Sequence, residues 1–270
     1  MTYCIEYTAL CNKGLVRTNN QDNFWCMGEF LESENDGLAE PINGIAEAKD
    51  APAFVVFDGM GGEQQGEVAA YIAAHNFDVA YKKNPKKDIK QFLLDTCAGM
   101  NKAICEHTKE KHIRSSGSTA AILVFGKKDI YICNIGDSRI YQHSGKKLTQ
   151  ITHDHCETSV TDRKPPLTQN LGINETDFII ALYIAKGIYE NGDRYLICSD
   201  GLTDMVSEEE IAKTISESNR VKECAEALMQ KALDMGGHDN ITIILCEVQK
   251  TNWTSGLNKT IQKIYRRNKQ

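Results

Sequence analysis

Ala53-Phe-Val-Val-Phe57 is a continuous apolar run, followed at once by Asp58-Gly59-Met60-Gly61-Gly62. The run is too short for an ordinary helix, so it is read as a buried strand. The glycines let the backbone turn sharply and expose its own carbonyls and amides. A carboxylate at the mouth of a buried strand, beside bare backbone, suits a hard cation such as Mg²⁺, which takes oxygen ligands. Taken alone, Asp-Gly is only a common turn pair. The same device recurs, and that changes the weight of the observation. Ile130 to Ile135 runs into Gly136-Asp137-Ser138-Arg139, and Arg194 to Cys198 runs into Ser199-Asp200-Gly201-Leu202. His238-Asp239-Asn240 opens the last apolar strand, Ile241 to Val248.

Composition narrows the class. The chain has 270 residues, 41% of them hydrophobic and 25% charged, with a formal net charge of −6. These values describe a soluble globular protein whose bulk charge offers nothing to nucleic acid. The ten cysteines form no C-x-x-C pair, and several sit inside apolar runs, as Cys133, Cys198 and Cys246 do. Buried free thiols in a reducing cytoplasm are expected, with no disulfide framework and no zinc site. The N-terminus lacks the basic start and apolar core of a signal peptide. No apolar run approaches a transmembrane length.

Outward from the central strand, residues 3 to 9 read as an opening strand. Arg17 and Asp22 lie in a polar stretch that, alone, is an ordinary surface loop with an Arg–Asp pair. Arginine also suits phosphate oxygens, and Asp22 offers a second carboxylate to a cation at Asp58. Residues 28–51 read as a surface excursion without chemistry. Helices are expected over 63–81 and 88–112, the second carrying an apolar stripe through Leu93, Cys97, Met100 and Ile104. Strands are expected at 121–125, 130–135 and 178–182, with a polar flap over 156–175. His153-Asp154-His155 reads as a satisfied polar cluster near the site. Ser207 and Glu210 form a capping box for a helix over 208–217. A further helix follows, stopped by Gly236-Gly237. Residues 251–270 hold five basic residues and no acid, a basic tail distinct from the domain of residues 1–250.

If Asp58, Asp137, Asp200 and Asp239 share one end of a sheet, their charges crowd together, and like charges at short range resist joint ionisation. Divalent cations resolve that conflict, and two of them clamp a phosphate and activate water. The residues alone therefore point to metal-assisted hydrolysis of a phosphate ester.

The motifs Arg17…Asn20-Gln21-Asp22-Asn23, Phe57-Asp58-Gly59-Met60-Gly61-Gly62, Gly117-Ser118-Thr119, Gly136-Asp137-Ser138-Arg139, Asp154-His155, Ser199-Asp200-Gly201-Leu202 and Gly237-His238-Asp239-Asn240-Ile241-Thr242, in this order, resemble the metal-dependent protein phosphatases. This is the PPM or type 2C family, in its bacterial form. The resemblance spans residues 3–248. It implies an α+β fold: a four-layer α-β-β-α sandwich of two antiparallel sheets flanked by helix pairs. It implies hydrolysis of phosphoserine and phosphothreonine by a metal-activated water, with two core Mn²⁺ or Mg²⁺ ions and a third, weaker one. Asp58 then bridges two cations, Gly59 contributes its carbonyl, and Asp22 completes one site. Asp200 and Asp239 hold the other, and Asp137 shares the third with Asp200. Arg17 binds the phosphate, and Asn240 supports the Asp239 loop. Where relatives carry histidine in or after the glycine turn, this chain has Met60 and Glu63. Glu63 is thus either a proton donor, a role His155 or a metal-activated water also fits, or a helix cap. The implied partners are phosphoproteins, among them a serine/threonine kinase and its targets, met by a cytoplasmic monomer. Two alternatives share the motifs, a non-catalytic binding member and a phosphatase dedicated to one regulatory phosphoprotein.

Overall fold

The apolar run at the centre of the chain shows no alternation because both of its faces are covered. The computed structural model describes residues 2–61, 65–83, 88–157, 165–174 and 180–251. In β4 (Ala53–Met60), Phe54 and Val56 enter one core, while Ala53, Val55 and Phe57 enter another. The last strand, β12 (Ile241–Thr251), behaves alike: Ile244, Cys246 and Val248 face the first core, and Ile241, Ile243 and Leu245 face a third.

Between them the chain forms β1 (Thr2–Asn12), β2 (Asp22–Cys26) and β3 (Ile42–Glu47) before β4. Helices α1 (Gly66–Tyr81) and α2 (Ile89–Glu110) follow, then β5 (Gly117–Ser118), β6 (Ala120–Phe125), β7 (Asp129–Ile135), β8 (Arg139–Ser144) and β9 (Lys147–Gln150). The remainder comprises β10 (Tyr183–Ile188), β11 (Arg194–Cys198), α3 (Asp200–Thr203), α4 (Glu208–Glu217) and α5 (Val221–Asp234).

The strands make two antiparallel sheets. One has the order β3-β1-β12-β11-β8-β9, the other β10-β7-β6-β4-β2, with β5 added to β4. The first core lies between the sheets, where Ile5, Phe24, Phe54, Phe125, Tyr195 and Ile244 meet. The second lies between α1, α2 and one sheet, and the third between α3–α5 and the other. This is the four-layer α-β-β-α arrangement of an α+β fold.

Local chemistry explains the helix limits. Asp88 accepts from Gln91 N at 3.0 Å, and Ser207 accepts from Glu210 N at 3.3 Å, so both caps act where the side chains permit. Helix α5 ends before the glycine pair, as expected. Helix α1 buries Ala69, Ala70, Ala73 and Ala74, a narrow face that brings its axis close to the sheet. Phe77 and Tyr81 extend that face against Trp25, whose Nε1 donates to the buried Asp78 at 3.2 Å.

Three segments differ from expectation. The stretch 28–51 contains β3, an edge strand antiparallel to β1, and a short 3₁₀ turn, Ala48–Asp50, with Ala48 buried. Its polar composition hides the strand because an edge strand has less to bury. Of the strand expected at 178–182, residues 178 and 179 lie outside the described residues and 180–182 are irregular, while β10 runs from Tyr183 to Ile188 against β7. The apolar run there is long enough to permit either register. Asp22 opens the strand β2 rather than sitting in a loop, because Phe24, Trp25 and Cys26 beyond it are fully buried. All ten cysteines are free, and eight are buried. Glu63 and the tail beyond Thr251 lie outside the described residues.

The alanine face of α1 leads to a direct expectation. Ala73→Leu should cost about 1–3 kcal/mol through overpacking against the sheet. Urea denaturation with an unchanged slope and a lower midpoint would report it, and an unchanged midpoint would show that the contact yields easily.

Candidate active site

The ends of β4, β7 and β11 bring Asp58, Asp137 and Asp200 together. One oxygen from each lies within 4.8 Å of the others, the only such group of metal-ligating side chains found among the described residues. Asp58 lies within β4, and Asp137 and Asp200 come within two residues of the ends of β7 and β11, so their positions are set by the strand ladders.

Hydroxyl groups tie these ends to one another. Thr119 Oγ1 accepts from Asp58 N at 3.0 Å and lies 2.7 Å from Ser138 Oγ, next to Asp137. Thr119 N in turn donates to Asp58 O at 2.8 Å. On the other side, Ser199 Oγ and Thr242 Oγ1 both donate to Asp22 Oδ2 at 2.7 Å. Ser199 Oγ also accepts from Thr242 N at 2.9 Å. Asp22 stands opposite Asp58 in the β2–β4 register. Its carboxyl is pushed up to about 7, first by burial, against the lowering effect of the two hydroxyls.

Gly59 follows Asp58 where no side chain fits. A Cβ there would strike the carbonyl oxygens of Gly66 and Gln21, so this backbone stays bare. Gly59 N donates to Gln21 O at 3.0 Å, which holds the turn against the start of β2. At Gly201 a Cβ would strike Asn240 O, so the Asp200 turn packs directly on the loop that carries Asp239.

Arg17 and Asp239 meet at the rim. Arg17 Nη2 donates to Asp239 Oδ2 at 2.6 Å, with the guanidinium about half exposed. That bond is the largest cause of a raised Arg17 pKa, and Asp58 and Asp22 add to it through space. Asp239 stands outside the three-carboxylate group, as Asp22 does. Asn240 fixes its loop from below: Oδ1 accepts from Gln21 N at 2.7 Å, and Nδ2 donates to Lys13 O at 2.8 Å and Asn19 O at 2.9 Å.

His155 lies behind the Asp137 turn. Its Nδ1 accepts from Gly136 N at 3.2 Å, and its own N donates to Gly136 O at 3.0 Å. Burial lowers its pKa. Asp154 receives Arg139 Nε at 2.9 Å and Nη2 at 2.6 Å, which braces the segment. Thr119, Ser138, Ser199 and Thr242 were given no role from the sequence. The available signal was a hydroxyl beside Asp137 and Asp200 and shortly after Asp239, whereas Thr119 lies far in sequence from the acid it serves.

With the fold and this geometry in view, comparison with known proteins is direct. The family model for protein phosphatase 2C matches residues 43–235. The serine/threonine phosphatase stp of Listeria monocytogenes is 30% identical over 256 residues, covering 87% of this chain and 93% of that protein. The serine/threonine protein phosphatase PstP of Mycobacterium tuberculosis is 28% identical over 263 residues, covering 92% of this chain and 46% of PstP. A crystal structure of the catalytic domain of PstP in complex with two manganese ions superposes with a TM-score of 0.72 at 28% identity, covering 92% of this chain and all of that one. The chain belongs to the protein phosphatase 2C family.

The support given by Asn240 is open to measurement. Asn240→Ala leaves Gln21 N and two carbonyls without their partner. The three bonds are part-buried, so losing them together should cost about 1–3 kcal/mol, read as a lower midpoint in denaturant unfolding. A variant as stable as the parent would mean that water replaces the amide fully.

Proposed function

We propose that the chain is a metal-dependent phosphatase acting on phosphoserine and phosphothreonine in proteins. The convergence of Asp58, Asp137 and Asp200 within 4.8 Å carries this reading, and the names of the Listeria and Mycobacterium relatives support it. The donor set fits a cation: carboxylates this close repel one another when all are ionised, and an all-oxygen set suits Mn²⁺ or Mg²⁺. The manganese found with the catalytic domain of PstP agrees. In this reading Asp58 serves both core cations, and the Gly59 carbonyl and Asp22 complete the first. Asp200 and Asp239 hold the second, and Asp137 with Asp200 holds a third. Bound cations of this kind supply an activated water at neutral pH and neutralise charge on the phosphoryl oxygens.

The protein's own groups do the positioning. Arg17 offers a planar fork of N–H donors to the phosphate. Asp239 keeps that fork at the rim through the 2.6 Å bond. The hydroxyls of Ser199 and Thr242 orient Asp22 in the way that ligating carboxylates are held from behind. Glu63 follows the glycine turn directly in sequence, and we assign it the proton for the departing serine oxygen, with His155 as the other candidate.

The substrates are phosphoproteins, in this reading the targets of a serine/threonine kinase and the kinase itself, and the enzyme is a cytoplasmic monomer. Ten free thiols support a reducing compartment. Among the described residues no helix is long and apolar enough to cross a membrane.

Asp58→Asn should nearly abolish turnover, because it weakens two cation sites at once. Calorimetric titration with Mn²⁺ should show the same loss independently of turnover. Chelation should silence the parent enzyme and Mn²⁺ restore it. Full activity in a metal-free preparation would overturn the reading.

Glu63 is tested by leaving-group chemistry. A serine alkoxide needs a proton to depart, and nitrophenolate scarcely does. A positioned acid contributes about 10²–10⁴-fold to a step that needs it. Glu63→Gln should therefore slow phosphoserine peptides far more than nitrophenyl phosphate. Equal, small losses on both would leave Glu63 as a helix cap.

A further inference from the structure

A cleft of about 1240 Å³ opens beside the acidic cluster, reaching from Met60 and Gly61 to Arg114. Its walls are the C-terminal half of α2, the segment 113–116 and the base of the flap at 172–174. We propose that this cleft is a subsite for acidic residues flanking the phosphorylated residue of a protein substrate, with Arg114, Lys109 and Lys102 as the recognising groups. The proposal rests on the phosphatase reading above.

The charge of the lining is the first argument. The molecule carries a formal −6, yet among the described residues the charged lining of this cleft is Lys102, Lys109, Arg114 and Glu106. Glu106 sits 3.8 Å from Lys102 on the same helix, so Lys109 and Arg114 dominate the far end. A local positive field on an acidic body selects an anionic ligand and repels a basic one.

The second argument is that the walls are built. Asn101, on α2 and only 1% exposed, accepts from Gly172 N at 2.7 Å and donates to Ile173 O at 3.0 Å. Cys105 Sγ adds a contact to Ile173 O at 3.4 Å. Leu171 and Ser118 exchange backbone bonds of 2.8 and 3.1 Å, which joins the flap base to β5. The far wall is equally tied, since Ser116 Oγ donates to Gln65 O at 3.0 Å. A cleft with both walls pinned receives an extended chain without being ordered by it.

The third argument is reach. Gly117 stands opposite Met60 in the β4–β5 ladder, and Met60 lies two residues beyond Asp58. Neighbouring strands are about 5 Å apart, and three residues span at most about 11 Å. Arg114 therefore lies within about five extended residues of Met60. The acidic position recognised is then within about seven residues of the phosphorylated one.

The test compares peptides that carry one phosphoserine in a neutral background, with one Glu moved along both flanks. Wild-type enzyme with Mn²⁺ should favour the best-placed Glu about 5- to 10-fold in kcat/KM, as a few exposed charge pairs allow. The gain should lie in KM and shrink as salt rises. In Lys102→Ala/Lys109→Ala/Arg114→Ala the ratio of acidic to neutral peptide should fall to about one. Lys109→Glu/Arg114→Glu should reverse the preference toward basic flanks, an outcome that a loss of structure cannot produce. No preference at any position in the wild type, or a preference that survives in the triple variant, overturns the subsite. Failure to hydrolyse both the peptides and nitrophenyl phosphate overturns the phosphatase reading instead. The cleft is then judged by fluorescence anisotropy of the labelled acidic peptide. Binding lost in the triple variant supports it, and equal binding by both proteins rejects it.

Discussion

Carboxylates a few ångströms apart resist being ionised together, and this repulsion is the constraint around which the molecule is arranged. Asp58, Asp137 and Asp200 arrive from three different strands, so no local turn could hold them at this range. Two sheets packed face to face do so by rigidity. Each acidic turn begins where a strand buried on both faces leaves its core, and the cores on either side fix the strand ends. The fold thus stabilises an arrangement that its own electrostatics oppose.

Small hydroxyl side chains complete the frame. Thr119 and Ser138 join the Asp58 and Asp137 ends, and Ser199 and Thr242 hold Asp22 between the sheets. Such groups bond in confined space without adding charge, which matters beside an acidic cluster. Arg17 and Asn240 act at greater range, one by charge and one by three amide bonds that gather distant segments under the Asp239 loop. The basic cleft beside the cluster adds a feature the acidic centre does not explain. It extends the chemistry of the site from the phosphate to the chain that carries it.

Much of this was legible in the residues because the relevant signals are local. Strand, acid and glycine occur as one contiguous pattern at Asp58 and Asp200, and the apolar runs of β6, β7, β11 and β12 announce themselves by burial on both faces. The capping serine of α4 marks its helix correctly for the same reason. What stayed hidden depends on partners remote in sequence. β3 is a half-exposed edge strand whose identity comes from pairing with β1. Asp22 looks like a loop residue until β4 aligns it opposite Asp58. The roles of Thr119 and Thr242 require distances across 61 and 220 residues of sequence. The cleft around Arg114 joins α2 to residues 172–174, and neither segment alone suggests a site.

Strands β1 and β12 pair along their whole lengths, from Thr2 opposite Thr251 to Asn12 opposite Ile241. β12 also separates β1 from β11, so one of the two sheets is split until it arrives. Contacts this distant in sequence form late and slowly. During synthesis, which proceeds from the N-terminal end, the strand that seats Thr242 and follows Asp239 emerges after every other strand of the two sheets. A nascent chain therefore holds most of its acidic turns before it holds the geometry that makes them one site, and hydrolytic competence waits on a single strand that closes the sheet.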